Sequence, residues 1–134
     1  MPEKIVPLRK RLERILEDLE KRSDINASAL VSRDGLVMAS ALPKDIDEFG
    51  ISAMAGMMLG LGSRVGSVLD RGDIDQVIVN GKDGFAIMSE CGPSVLVALA
   101  PSGSKLGIVL FEMKDATKII KELIKDLTPI GGVD

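Results

Sequence analysis

The chain has 134 residues, the size of one ordinary domain, with 46% hydrophobic residues and a formal net charge of −3. It contains no His and one Cys, which excludes Ser-His-Asp and Cys-His triads, His-based metal sites and an internal disulfide bond. The acidic balance and the scarcity of aromatic residues argue against nucleic-acid binding. We therefore expect no catalytic residues, no metal and no cofactor, and a function in protein binding.

Hydrophobic residues recur every three to four positions over residues 5–22, which predicts a first amphipathic helix. Pro7 fits only the first turn of a helix, so the regular part begins near it. The mixed charges of this segment leave no continuous apolar stretch of the kind found in export signals. We therefore expect a cytoplasmic location.

Two hairpins follow from turn residues that lie between short apolar runs. Asp34-Gly35 separates residues 27–33 from residues 36–40, and such a pair is typical of a tight turn between antiparallel strands. The second turn, residues 80–84, joins two strands at 76–79 and 85–89, and a last strand covers residues 94–100. Apolar and polar residues do not alternate regularly in that last strand, which predicts a strand buried on both faces, at the centre of the sheet.

Residues 106–111 have the propensity of a strand, but the apolar residues after them continue at helical spacing. We therefore predict one helix over residues 104–127. The predicted order is helix, two strands, helix, three strands, helix. We assign residues 1–128 to a single domain and residues 129–134 to a flexible tail.

The second helix, residues 49–69 with Asp45 or Asp47 as its N-cap, is unusual because Arg64 is its only charged residue. A helical wheel divides it into three faces. The first face, which we expect to pack on the sheet, carries Ile51, Met54, Met57, Met58, Leu61, Val65, Val68 and Leu69. The second is a stripe of small residues, Ala53, Gly56, Gly60, Ser63 and Ser67. The third carries Ala55, Leu59, Gly62 and Gly66.

A helix that is apolar on all sides is usually buried on all sides. Glycines 56, 60, 62 and 66 cost roughly 3–4 kcal/mol together relative to alanine, and the close approach of another backbone can offset that loss. We expect a second copy of this helix against the small-residue stripe; the alternative is a helix of the same chain. A membrane span is disfavoured, because the apolar stretch ends at Arg64, short of about 20 residues.

Four segments share their order and spacing with one known family. The hairpin 29–40, the Met- and Ala-rich second helix ending at Leu69, the strand and turn 75–85, and the helix start 106–109 resemble those of Roadblock/dynein-light-chain domains. The resemblance extends to about Leu127. It implies an α+β, Roadblock/profilin-like fold of order α-β-β-α-β-β-β-α. A five-stranded antiparallel sheet would carry the second helix on one face and the two terminal helices on the other.

The resemblance also implies a partner and an assembly. Family members dimerise through paired third strands and adjacent second helices, which places the homodimer interface at Ala53, Gly56, Gly60, Ser63, Ser67, Gln76, Val77, Ile78, Val79 and Asn80. The MglB-like group of the family binds Ras-like small GTPases and regulates their nucleotide cycle. We therefore expect a non-enzymatic regulator or scaffold that contacts such a GTPase through Ala55, Leu59, Gly62, Arg64 and Gly66.

Two other functions remain open from the sequence. The chain could be a dynein-light-chain-like scaffold, or a subunit of a larger assembly, without a GTPase partner. It could also be a small-molecule sensor, for which Ser89 and Glu90 are the candidate polar cavity residues. Arg64 could contact an acidic switch region of the GTPase or a carboxylate of the other protomer. Alternatively, it could extend its charged end into water or form a salt bridge at the helix rim. The methionines of the second helix fit either the core or an adaptable binding surface.

Three further segments resemble known binding motifs but differ from them in spacing or in a required residue. Gly60–Gly66 differs from a dinucleotide fingerprint in its last interval, and Gly81-Lys82 lacks the following Ser or Thr of a phosphate loop. The acidic residues between Asp70 and Asp75 lack the Gly and Glu that complete a calcium loop, which indicates a polar turn. Cys91 is expected to be a small core residue.

Overall fold

A computed structural model of the chain describes residues 7–127. Its elements, in chain order, are α1 (Leu8–Arg22), β1 (Ala27–Ser32), β2 (Val37–Ala41), α2 (Glu48–Val68), β3 (Gln76–Gly81), β4 (Gly84–Cys91), β5 (Ser94–Pro101) and α3 (Leu106–Leu127). The predicted order is confirmed, including the helix over the strand-like run 106–111. The predicted tail, residues 129–134, and the start of the predicted first helix, residues 5–6, lie outside the described residues.

Local signals set both ends of α2. Asp47 is its N-cap, and the Asp47 carboxylate accepts a hydrogen bond from the Phe49 N–H at 3.1 Å. At the other end Asp70 adopts a left-handed φ of 56°, and the Arg71 N–H donates to the Gly66 carbonyl at 2.7 Å. This pattern is a Schellman cap, with aspartate where glycine is usual. The cap turns the chain back toward the sheet.

The five strands form one antiparallel sheet in the order β2-β1-β5-β4-β3. β5 lies between β1 and β4, and most of its residues are buried, as its lack of alternation predicts. β2 and β3 are the two edge strands. In the hairpin between β1 and β2, only Gly35 has a positive φ, of 90°, so the turn is not the two-residue type in which both central residues are left-handed.

The helices cover opposite faces of the sheet, as the α+β fold class predicts. α1 and α3 enclose the larger core on one face, which includes Leu12, Leu16, Leu30, Ile87, Leu96, Met113 and Ile120. α2 covers the other face alone, over a smaller core of Ala29, Val31, Ala55, Leu59, Met88, Val95 and Val97. The helix expected to be buried on all sides therefore contacts the rest of the chain along one side only.

The face of α2 that lies on the sheet is not the predicted one. Ser52, Ala55, Leu59 and Gly66 are buried, whereas Met54, Met57, Leu61, Val65, Val68 and Leu69 are exposed. Of the large apolar residues assigned to the sheet side, only Ile51 and Met58 pack at the border of the smaller core. The prediction that the large apolar face covers the sheet is therefore wrong.

The physical reason is the close approach between α2 and the segment that leads into β3. A Cβ added at Gly66 would lie 2.6 Å from the Gly72 carbonyl oxygen, and one at Gly62 would lie 2.5 Å from a Val77 methyl group. Neither position can hold a side chain without displacing the backbone or the strand. Small residues permit this contact and large ones do not, so the large residues point outward.

This packing predicts opposite effects for two glycines of the same helix. Gly66→Ala should lower the free energy of unfolding by about 1–3 kcal/mol, because its methyl group meets the Gly72 carbonyl. Gly60→Ala, with no atom within 4 Å of the added Cβ, should raise it by about 0.8–1 kcal/mol through helix propensity. Urea denaturation of dilute protein, followed by circular dichroism, measures both. Changes of the same sign would contradict the close approach.

Candidate partner-binding surface

The outer face of α2 is an exposed apolar surface, which we call the α2 stripe and define as Met54, Met57, Leu61, Val65 and Val68. Met57, Leu61 and Val68 are 69%, 59% and 70% exposed. Their spacing of three or four residues places them on one side of the helix. Contiguous exposed apolar surface on a protein marks an interaction site more often than it occurs by chance.

Small residues border the α2 stripe. Ala53, Gly60 and Ser67, all predicted at a dimer interface, are exposed on one flank of the stripe. Gly56 is half-buried, because a Cβ there would lie 3.3 Å from the Arg33 carbonyl oxygen of the β1–β2 turn. Ser63 is exposed and lines a cavity at the end of the sheet. Gly56 thus contacts its own chain, and the other four leave a shallow, exposed flank.

Four of the five residues predicted to contact a GTPase lie elsewhere. Ala55 and Leu59 are 1% and 2% exposed in the core beneath α2. Gly62 and Gly66 lie against Val77 and the Gly72 carbonyl. Contacts within the chain already occupy these four positions, so the prediction is wrong for them.

Arg64 differs from those four residues. It is exposed, and its guanidinium forms no ion pair or side-chain hydrogen bond with any residue of the described range 7–127. On the helix it falls between Gly60 and Met57, at the border of the α2 stripe, with no acidic residue on the same turn. A free guanidinium in an apolar surface can recognise a carboxylate of another polypeptide.

β3 is the second open feature, because it pairs with β4 on one side only. Its side chains alternate between the two faces of the sheet. Val77 packs against the core beneath α2, and Gln76 donates a hydrogen bond to the Ser89 hydroxyl at 3.0 Å on the α3 side. Ile78 and Val79 are 41% and 40% exposed. The backbone of the outer edge is available to another strand.

A half-open cavity of about 440 Å³ lies between the C-terminal half of α2 and the end of the sheet. Its charged walls include Arg33 and Glu90, whose side chains form an ion pair at 3.4 Å. Ser89 is hydrogen-bonded to Gln76, and no buried side-chain polar atom of the described residues lacks a partner. The two candidate polar residues of a sensor cavity, Ser89 and Glu90, therefore both have partners within the chain.

No group of acidic or Cys side chains in the described part of the chain is spaced to hold a metal ion. None of the described helices combines the length and the hydropathy needed to cross a bilayer. Among the described residues, two groups have raised pKa values. Burial raises the pKa of the Cys91 thiol to about 11, and desolvation raises the pKa of Glu20, which accepts a hydrogen bond from Ser28. Neither belongs to the α2 stripe or β3.

A protein-family model settles which family these elements come from. The model of the Roadblock/LC7 domain matches residues 11–100, from α1 to β5. The chain belongs to the Roadblock/LC7 domain family. The predicted family is therefore confirmed, over a fold whose two open features are α2 and β3.

The chain is also similar to individual proteins and to solved structures. The uncharacterized protein MJ1340 of Methanocaldococcus jannaschii is 33% identical over 112 residues, 84% of this chain and 98% of that protein. Among solved structures, Myxococcus xanthus MglB superposes with a TM-score of 0.83 at 17% identity, covering 92% of this chain and 94% of its own. A Roadblock/LC7 domain from Streptomyces avermitilis superposes with a TM-score of 0.78 at 23% identity, covering 84% of this chain and 96% of its own. At these identities the two structures show a shared fold.

Sequence reasoning missed the α2 stripe as an exposed surface, because it assigned large apolar residues to the core. A signal for the correct face was present. Ser52, Ala55, Leu59, Gly62 and Gly66 recur at intervals of three and four, and all but Leu59 are small. A helix whose buried side is made of small residues can lie very close to its sheet.

The burial of Cys91 predicts both its reactivity and its effect on alkaline stability. The folded thiol, hydrogen-bonded to the Thr117 carbonyl, should resist Ellman's reagent at pH 8 and react once the protein is unfolded. Because its pKa rises from 9.0 to about 11 on folding, the unfolded state ionises first, and stability should fall as pH rises through this interval.

Cys91→Ala is the control for this alkaline decline. The variant should be less stable at pH 8 through lost packing, but it should lose less stability between pH 9 and 10 than the unsubstituted protein. Guanidinium denaturation gives the free energy of unfolding of both proteins at each pH. The difference between their declines is the contribution of the thiol, because all other groups titrate in both proteins. Equal declines, or fast labelling of the folded protein, would contradict the buried environment.

Proposed function

We propose that the chain is a cytoplasmic, non-enzymatic homodimer that binds a Ras-like small GTPase through the α2 stripe and modulates its nucleotide cycle. The α2 stripe is the observation that carries this proposal. It is apolar, exposed in a single copy of the chain and supported from below by a close-packed contact. The GTPase is the partner that the resemblance to MglB-like Roadblock domains implies.

The proposed dimer uses both the outer edge of β3 and the exposed face of α2 in each subunit. Pairing of the outer β3 edge with its symmetry mate would satisfy the free backbone groups between Gln76 and Gly81 and would bring the two α2 helices together. The exposed small residues Ala53, Gly60 and Ser67 would let the helices approach closely, while part of each α2 stripe stays open. The proposal therefore gives one patch two uses, self-association and GTPase binding.

The regulatory step follows from binding alone. A dimer that prefers one nucleotide state of the GTPase shifts the population of its switch regions, by at most the ratio of the two affinities. Arg64 is placed to contribute charge recognition at this surface, since its guanidinium is free and exposed. In the proposed complex it pairs with an acidic residue of the GTPase.

The oligomeric state tests the first half of the proposal. Light scattering after gel filtration should give twice the chain mass of 14.3 kDa for the unsubstituted protein. Leu61→Glu should give the single-chain mass, because a carboxylate in the α2 stripe would be desolvated in the dimer. Leu36→Glu is the matched control: Leu36, 66% exposed at the β1–β2 turn, should tolerate the same change. A monomer before substitution would refute the dimer.

Nucleotide-dependent capture tests the second half. Ras-like GTPases encoded in the same genome, loaded with GDP or a GTP analogue, are titrated with the protein by calorimetry. We expect one state to bind at least about tenfold more tightly, a difference of about 1.4 kcal/mol. Arg64→Ala should weaken that complex without changing the dimer. Equal affinity in both states would remove the regulatory role, and an absence of binding would favour the scaffold without a GTPase.

A further inference from the structure

A row of four lysines follows one side of α3, on the face of the sheet opposite α2. Lys114, Lys118, Lys121 and Lys125 are all exposed and are spaced by four, three and four residues. That spacing aligns them on one side of a helix, over about 16 Å at 1.5 Å per residue. We call these four residues the lysine row.

The lysine row borders β3, and α1 lies on the other side of α3. Lys114 and Lys121 line a pocket of about 170 Å³, and its other lining residues are Asp75, Gln76, Ser89, Glu90 and Thr117. By contrast, the acidic residues Glu112 and Asp115 face α1, where they line a groove with Arg22. The positive and negative charges of α3 are therefore separated onto two sides of the helix.

This separation has a local cost. Two pairs of lysines in the row are four residues apart, Lys114 with Lys118 and Lys121 with Lys125. Repulsion in each such pair costs about 0.2–0.5 kcal/mol of helix stability. Within residues 7–125, the one ion pair that a member of the row forms joins the Lys121 ammonium to the Glu90 carboxylate, at 4.0 Å. The row gains little inside the chain in return for the repulsion.

Between the lysine row and the edge of the sheet lies a shallow groove, whose lining beside Lys114 and Lys121 is polar and charged. Ile78 of β3 is opposite Ile87, which is buried in the core beneath α3, so Ile78 lies on the same face as the row. Its side chain is 41% exposed. The side chains of a strand project perpendicular to its hydrogen-bonding edge, so pairing of β3 with another strand leaves this groove open.

The distribution of charge selects the class of partner. α3 contains four lysines and four acidic residues, so a flat anionic membrane resting on the helix would meet both signs. A partner that enters the groove from the β3 side meets the four lysines and two carboxylates, those of Asp75 and Glu90. Glu90 is already paired with Arg33 and Lys121, so this side keeps a net positive charge, whereas α3 as a whole has none. Phe111, one turn before Lys114, is the sole aromatic side chain of α3, so the groove offers no series of stacking platforms for nucleic-acid bases.

From this geometry we infer that the groove beside α3 docks an acidic segment of a protein partner. Carboxylates spaced along that segment pair with the lysine row, and an apolar side chain covers Ile78. A helix with acidic residues at intervals of four, three and four matches the row along its whole length. The groove and the α2 stripe lie on opposite faces of the sheet, so the two sites can be occupied together.

Fluorescence anisotropy with a designed peptide tests this site. The probe is a labelled helical peptide with four glutamates at intervals of four, three and four, with leucines on the adjacent side; its twin has glutamine at the four positions. The glutamate peptide should bind saturably and weaken with salt, and the twin should not bind. Lys114→Gln/Lys118→Gln should weaken binding by about tenfold or more while leaving the urea midpoint unchanged or higher.

Lys44→Gln/Lys82→Gln is the control, since it removes the same charge from two exposed lysines outside the row. It should change the affinity less than about twofold. Three results would overturn the site: equal weakening by both double variants, no saturable binding of the peptide, or tighter binding of an oligothymidine or of phosphatidylserine vesicles. GTPase titrations are independent of all three, so this proposal and the proposed function can fail separately.

Discussion

The close contact between α2 and the chain that leads into β3 determines what the rest of the surface can do. Gly62 and Gly66 have no room for a side chain, and Ala55 and Leu59 complete a thin layer of small and medium residues on the sheet. Because the inner side of the helix is already filled at this short distance, the large apolar residues have no place beneath it. They form the α2 stripe, exposed above a rigid support.

The two faces of the sheet consequently differ in chemistry. α1 and α3 enclose a large core and present mixed charges to solvent, whereas α2 covers a smaller core and presents apolar surface around one free guanidinium. The open edge of β3 lies beside both faces. In the proposals above, self-association and GTPase binding share the face of α2, whereas the acidic segment uses the opposite face of the sheet.

Much of the fold follows from local patterns in the sequence. Asp47, Gly35 and the helical spacing after residue 104 each predict a feature through neighbouring residues alone, and the structure contains all three. The helical wheel also separates the faces of α2 correctly, but it cannot decide which one meets the sheet. That choice depends on the distance between α2 and the sheet, which is set where Gly66 meets Gly72 and Gly62 meets Val77. Gly72 and Val77 lie outside the helix, so the wheel does not contain them.

The lysine row illustrates a similar limit. Its spacing in the sequence aligns the four lysines on one side of α3, but only the placement of α1 and β3 shows that this side borders the open edge of the sheet. Side chains that bind a partner through an unfilled surface leave no spacing motif of the kind that a metal site or a phosphate loop has. Such sites emerge once the packing partners of each helix face are known.

Oxidation of individual methionines tests the central claim, that the α2 stripe is the surface which another polypeptide covers. Met54 and Met57 are exposed in a single chain, whereas Met113 is fully buried in the core and serves as the internal reference. Peroxide oxidation, measured by mass spectrometry of peptides, should be fast at Met54 and Met57 in dilute protein. It should slow with rising protein concentration or added partner, and Met113 should stay protected throughout. Equal oxidation of Met54 and Met57 at every concentration, with and without partner, would contradict the claim.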